Sequence, residues 1–453
     1  MTRNLLLVPA LVLLTGCAGT GFNAASFQND VRQGNVASAL ERLDDYSDED
    51  VAALLDRGLL LQSQDRFEES NAVFAKAETL IGALHARSVS TKALALLTND
   101  RALGSRPSGF ECADVAYNRA WNYLEMGLRE DVLVEARRIN ERLTFRSDSC
   151  EDEGGACGHD TFLRYFSGLL FEWGGEWNDA YVAYKQADIA RKTAEIQFGA
   201  AAPPDLGVRL VRLARRLGFD DEAERWAAEY GVDPNPDPRA STLVVLWENG
   251  MIGHREAASV LIPIYQTETR AIAKDRDAWS HTLAERRHGP RNTKVKLDYL
   301  LRISLPTYVA TLPAGDQAEV VIGGAKEPST LRRVAPLSAM AAHALDSAMG
   351  GIAVRAVSRA LVKYLAKQAV DKNIGEGAGF LVNLLGVALE QADTRSWRSL
   401  PYEIDLASRE VPPGSYDVRL NVTGPGGRVV ETQVYSQVRV NPGGITFIRH
   451  RSY

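Results

Sequence analysis

Four cysteines, seven histidines and carboxylates spread along 453 residues are the side chains here that could carry chemistry. Cys17 closes the apolar run "LLLVPALVLLTGC", where a thiol can be acylated or alkylated. Cys150 and Cys157 stand seven apart in "SDSCEDEGGACGHD", a Gly- and acid-rich stretch that could close a short disulfide ring. Cys112 is then left over, unless it pairs with one of them. Cys150, Cys157 and His159 also offer zinc ligands, but they lack CxxC spacing and a fourth partner, so no metal site is expected. The histidines are scattered, with no HExxH and no GxSxG, and no carboxylate sits in a distinctive local setting. The expectation is a protein without catalytic residues, cofactor or small-molecule substrate.

The run from Leu5 to Leu14 is too short to span a hydrocarbon core of about 30 Å as a helix. It follows a positive head containing Arg3 and ends in small residues, the layout of a secretory signal. Leu14-Thr15-Gly16-Cys17 resembles the lipobox of bacterial lipoproteins. That resemblance implies diacylglycerol attachment to Cys17, cleavage after Gly16, and N-acylation of the new terminus. Several acyl chains anchor far more firmly than one, at about 0.8 kcal/mol per buried methylene. With Ala18 rather than Asp next, the usual sorting rule places the anchor in the outer membrane, facing an oxidising periplasm.

A hydrophobic content of 45% and a charged content of 24% fit a globular chain long enough for two or three domains. A net charge of −6 argues against binding nucleic acid. The strongest apolar run after Leu14, "GFLVNLLGVAL", is short enough to read as a buried helix, so no later membrane span is expected.

The first half repeats itself. Gly168, Phe171, Trp177, Ala180, Tyr184 and Ala187 recur at the same offsets as Gly58, Leu61, Phe67, Ser70, Phe74 and Ala77. A looser copy runs through Ala120, Tyr123, Gly127, Val132, Ala136 and Ile139, and another through Ala223, Ala227 and Tyr230; "VRQGNVASALERLD" reads as an incomplete opening copy. Small residues let two antiparallel helices approach while aromatics fill the groove between them, and the pairs must stack to bury their faces. The spacing resembles the tetratricopeptide repeat. "GVDPNPDPRAS" then ends the helical pattern as a linker.

Beyond it, "STLVVLWENG", "ASVLIPIY", "LDYLLRISLPTYV" and "QAEVVIG" read as strands, and Pro336 to Asn373 as a helix. Along that helix Arg355, Arg359, Lys363 and Lys367 recur every fourth residue. They could grip an anionic partner, or form a solvated face opposite Val354, Val357, Leu361 and Leu365 buried in the core; the second reading is preferred. The tail alternates apolar and polar residues between Pro-Pro-Gly, Gly-Pro-Gly-Gly and Asn-Pro-Gly-Gly turns. The expected architecture is α+β: signal peptide 1–16, tether 17–26, a helical repeat domain 27–230, linker 231–240, a mixed strand and helix domain 241–391, and a β-rich segment 392–453 forming a small antiparallel sheet or sandwich.

"EQADTRSWRSLPYEIDLA", "VPPGSYDVRL" and "GGITFIRHR", with the "WENG" turn, resemble a family of tetratricopeptide-containing lipoproteins of Gram-negative bacteria. The family has no assigned chemistry, so no catalytic residue carries over. Trp397, between Arg395 and Arg398, is expected to seal the join between helix and sheet. The reading is a lipid-tethered periplasmic adaptor whose helical array presents a concave groove to protein partners, in envelope biogenesis such as peptidoglycan synthesis. The alternatives are an accessory lipoprotein of a secretion or polysaccharide-export machine, and a peptidoglycan-cleaving enzyme. Cys17→Ser should abolish labelling by a fatty-acid probe and leave an unprocessed precursor; a variant that still labels would refute the lipobox reading.

Overall fold

The computed structural model describes residues 23–86, 107–145, 160–265, 297–323, 327–373 and 391–453. Cys17, Cys150, Cys157 and the run Gly379–Leu389 lie outside these residues.

Among the described residues ten helices come first, in five hairpins: α1 (Ala24–Arg32) with α2 (Val36–Asp44), α3 (Val51–Gln62) with α4 (Phe67–Ala86), α5 (Gly109–Glu125) with α6 (Arg129–Phe145), α7 (Thr161–Gly174) with α8 (Trp177–Phe198), and α9 (Leu206–Leu217) with α10 (Asp220–Tyr230). Their starts are written in the sequence. Asp50 accepts from the amide of Ala53 and Asp160 from that of Leu163, while Ser108 and Glu111 form a capping box on α5. Gly175, Gly199, Gly218 and Gly231 end α7 to α10 in the left-handed region that favours glycine.

Within three hairpins one device recurs, a helical glycine under an aromatic ring. A Cβ built on Gly58 would lie 2.5 Å from the Phe74 ring, on Gly168 2.5 Å from Tyr184, and on Gly207 2.4 Å from Tyr230. Ser70 adds a hydrogen bond from its hydroxyl to the Gly58 carbonyl, 2.8 Å. Phe74, Ala77, Ala120, Phe171, Ala180, Tyr184 and Ala187 are all buried. Phe67 and Trp177 are half-buried at the edges of their hairpins. Trp177 takes the Arg216 guanidinium over its ring, 3.7 Å from the centroid.

Three sheets follow the linker. β1 (Thr242–Asn249), β6 (Arg332–Ala335), β7 (Glu403–Glu410) and β10 (Ile445–Ser452) form the first, in the order β10-β1-β7-β6. β4 (Gln317–Ile322), β5 (Ser329–Thr330), β8 (Gly414–Thr423) and β9 (Val429–Val440) form the second, in the order β5-β4-β8-β9. β2 (His254–Tyr265) and β3 (Leu297–Val309) make a separate two-stranded hairpin. β1 is buried along its whole length because both its faces are covered. Leu243, Val245 and Trp247 join a core with Val320, Val418 and Leu420 of the second sheet. Val244 and Leu246 join the core that contains the helices. The molecule is therefore layered: helices, mixed sheet, antiparallel sheet.

The tail forms the expected small antiparallel sheet through β8 and β9, with β8 paired to β4. β1 pairs antiparallel with β7 and parallel with β10, so strands from 241–391 and 392–453 also meet in the first sheet, which is mixed. The chain crosses from β9 in the second sheet to β10 in the first, which turns β10 alongside β1.

α11 (Leu337–Asn373) is one long helix. Its first turns bury Leu337, Met340, Ala344 and Leu345; farther along, Ala356, Arg359, Ala360 and Tyr364 are buried, whereas Val354, Val357, Leu361 and Leu365 are exposed. The basic residues are thus not one solvated stripe: Arg359 is fully buried, Arg355 and Lys363 are half-buried, and the Lys367 side chain lies outside the described residues. Over 354–365 small alanines, not the bulky aliphatics, set the packed face. The stretch Leu337–Leu365 is also long and apolar enough, by length and composition alone, to cross a membrane. Its hydrophobicity comes from alanine spread between charges, which a search for uninterrupted runs passes over.

Adding a methyl under the Tyr184 ring should destabilise. Gly168→Ala is expected to cost about 1–3 kcal/mol through overpacking. Gly82→Ala, in α4 with open space around it, should be neutral or stabilise by about 0.5–1 kcal/mol. Urea denaturation midpoints of the two variants check this.

Candidate functional site

Three helices of the array, α3, α5 and α9, send polar side chains toward the sheet or the strip before it. Each chain of contacts begins at a charge on an otherwise apolar face. Asp56, alone in "VAALLDRGLLL", is fully buried. Its carboxylate accepts from Arg398 Nε (2.7 Å), the Arg398 amide (2.9 Å), the Ser399 amide (2.9 Å) and the Ser399 hydroxyl (2.8 Å). Glu111, while capping α5, accepts from the Trp397 amide at 3.1 Å. The buried Trp397 ring sits 5.9 Å from Phe74 and donates its indole N–H to Ser399. The strip from Trp397 to Ser399 is thereby held against α3, α4 and α5, the junction between helices and sheet.

Glu248 of β1 is the centre of the next group. It accepts from the Tyr117 hydroxyl (2.9 Å), from Arg449 Nε and Nη2 (2.8 and 3.0 Å) and from Arg451 Nη1 (3.1 Å). Arg449 also lies over Trp121, 5.4 Å from the ring centroid, and donates to Asn118. Burial acts to raise the Glu248 carboxyl, but Arg449 and Arg451 outweigh it and hold the group below the ordinary glutamate range. Farther along, fully buried Arg209 of α9 lies between Glu172 (2.7 Å) and Asp205 (2.7 Å), and Ser408 of β7 donates to Asp205. Arg212 pairs with Glu410 at the end of β7.

These contacts correct the expected concave groove. The inner face of the array is filled by the protein's own sheet, with Trp121 and Phe166 packed on Phe447 of β10. A cavity of about 260 Å³ remains at the seam, lined by residues that include Leu59, Gln62, Glu125, Glu248, Arg449 and Arg451.

A general acid or base needs a carboxyl that changes charge within reach of a substrate. Glu248 is locked as an anion between two guanidiniums. Burial pushes Glu135 up to about 7, Asp405 to about 7 and Asp160 to about 6, yet none of the three lines the cavity. Asp160 serves as the cap of α7, and Glu135 faces Arg119 and Arg138. Among the described residues no group of three or more His, Cys, Asp or Glu is arranged to hold a metal ion. Cys112 is buried within α5.

The fold is thus a stack of helix hairpins closed on its inner side by a β-sandwich. No family model matches the chain, and no curated protein does. Among solved structures, it is similar to a tetratricopeptide repeat protein from Parabacteroides merdae ATCC 43184 at 16% identity and a TM-score of 0.27. That match covers 46% of this chain and spans 66% of the other, just short of two thirds of its length.

The sequence marked the repeat anchors but missed the polar residues that join the layers. Asp56 and Glu248 carried a signal, each being a single acid in an apolar run; their arginine partners, some 200 to 340 residues away, carried none. Glu248→Gln should destabilise at neutral pH by about 3 kcal/mol, because two buried guanidiniums lose their counter-charge. A carboxyl depressed in the folded state stabilises above its unfolded pKa, and that contribution is lost as pH falls through the folded value. The gap in melting temperature between wild type and Glu248→Gln should therefore be full at pH 7 and close as pH drops below the ordinary glutamate range.

Proposed function

We propose that this protein is a non-enzymatic scaffold, tethered by lipid at Cys17 to the periplasmic face of the outer membrane, which binds protein partners in envelope biogenesis, with peptidoglycan synthesis the leading setting. The observation that carries the binding surface is where apolar side chains remain uncovered. With the inner face of the array closed by the sheet, Val182, Ile189 and Ile196 stand exposed at seven-residue spacing along the outer side of α8. Residues at that interval share one face of a helix, so they offer a line for a partner's apolar face.

A second reading has its own support. α11 and the β2–β3 hairpin leave a second region of apolar surface away from the array, which suits an accessory lipoprotein of a secretion or polysaccharide-export machine. Crosslinking in intact cells followed by recovery from membranes separates the two readings. A peptidoglycan synthase complex is expected among the products, and an export channel in its place would favour the second. Ile189→Lys combined with Ile196→Lys should reduce recovery at least tenfold while leaving the melting temperature within about 2 °C, since both positions are exposed. Undiminished recovery would remove α8 as the binding surface.

A further inference from the structure

The β2–β3 hairpin is long, 12 and 13 residues, and is bonded to no third strand among the described residues. A two-stranded ribbon of this kind is marginal in water, and an edge that pairs with no strand is a row of backbone donors and acceptors open to another strand. The register places positions 258, 260, 262 and 264 of β2 on one face with 299, 301, 303 and 305 of β3. Those positions are Ala, Val, Ile and Ile, facing Tyr, Leu, Ile and Leu.

The opposite face is covered at its base. Ser304 and Pro306 are buried there, Tyr308 shares a 2.8 Å hydrogen bond with Ser338 of α11, and the Ala392 amide donates to Ser304. On the apolar face Ala258 is exposed, and Leu301, Ile303 and Leu305 are half-exposed. Among the described residues the hairpin thus carries two liabilities together, edges paired to no strand and an apolar face only partly covered. Pro263 and Pro306 each remove at most one donor from their strand, so most of each row is intact.

Closing such hairpins into a ring meets both conditions. A closed sheet has no edges, and within a bilayer it is the one β arrangement that leaves no backbone group unmet. Strands of about 9–11 residues suffice to cross, which both strands exceed. We propose that β2 and β3 from several copies of this chain join edge to edge into a closed β-barrel whose apolar face is turned to lipid. This deepens the reading of a membrane-associated envelope protein and rests on it, but does not require the anchor at Cys17.

The test uses the chain from Ala18 onward, without the apolar run Leu5–Leu14 and without Cys17, so that lipid binding can come neither from a retained signal segment nor from acyl chains. Its mass is measured in detergent by light scattering, and its association with phosphatidylethanolamine–phosphatidylglycerol vesicles by flotation after carbonate washing. The expected result is one discrete oligomer of more than two copies that floats. Ala258→Lys, whose side chain is already exposed, and separately Ile303→Lys should both give monomers that stay in the soluble fraction, with the helical melting transition unchanged for Ala258→Lys. A monomer or dimer at every concentration would overturn the proposal, as would an oligomer that survives Ala258→Lys or fails to float. Such a failure leaves the scaffold reading intact, because fatty-acid labelling at Cys17 and partner recovery through α8 are measured separately.

Discussion

The inner side of the helix stack and one face of the four-stranded sheet bury against each other, and the rest of the architecture follows from that closure. A helix hairpin cannot bury both faces by itself, and repeat arrays ordinarily leave one broad side to solvent or to a partner. Here the chain supplies that partner from its own second half. Val244, Leu246, Ile404 and Leu406 lie in one continuous core with Tyr117, Trp121, Phe166 and Leu210. With that side closed, the apolar side chains left exposed include those on the outer helices and on the lobe built from β2, β3 and α11.

Burying charge at such a seam costs free energy unless every charge is matched and bonded. The matching here is dense: Asp56 accepts four hydrogen bonds, and Glu248 serves two arginines and a tyrosine. Nonpolar packing would tolerate sliding of a sheet over helices, whereas these bonds are met in one alignment. The seam thereby fixes how the two halves sit. Asp56 and Glu248, the buried acids at the seam, thus act to hold the layers together.

Local features were legible in the sequence. Gly58, Gly168, Ala180 and Tyr184 announce close helix contacts by their sizes and offsets, and β1, β3, β4 and α11 follow the apolar patterns that named them. What could not be read depends on distant pairing. A parallel match of Thr242 to Ile445 leaves no local trace, and neither does the match of Asp56 to Arg398. The packed side of α11 was misread for a related reason. Hydrophobic periodicity assigns burial to the largest aliphatics, but Ala356 and Ala360 permit a closer approach, and Arg359 goes in with them.

The partnership of β1 with β10 bears on how the molecule comes to be folded. β1 needs a neighbour made some two hundred residues later, and that neighbour also brings Phe447, Arg449 and Arg451 to the seam. During synthesis the array can form hairpin by hairpin, while the edge of β1 opposite β7 stays open until β10 emerges. Such high sequence separation slows the final step and prolongs exposure of sticky surface. A strand made late acts as the latch, so the nascent chain needs shielding longest where its finished form is tightest.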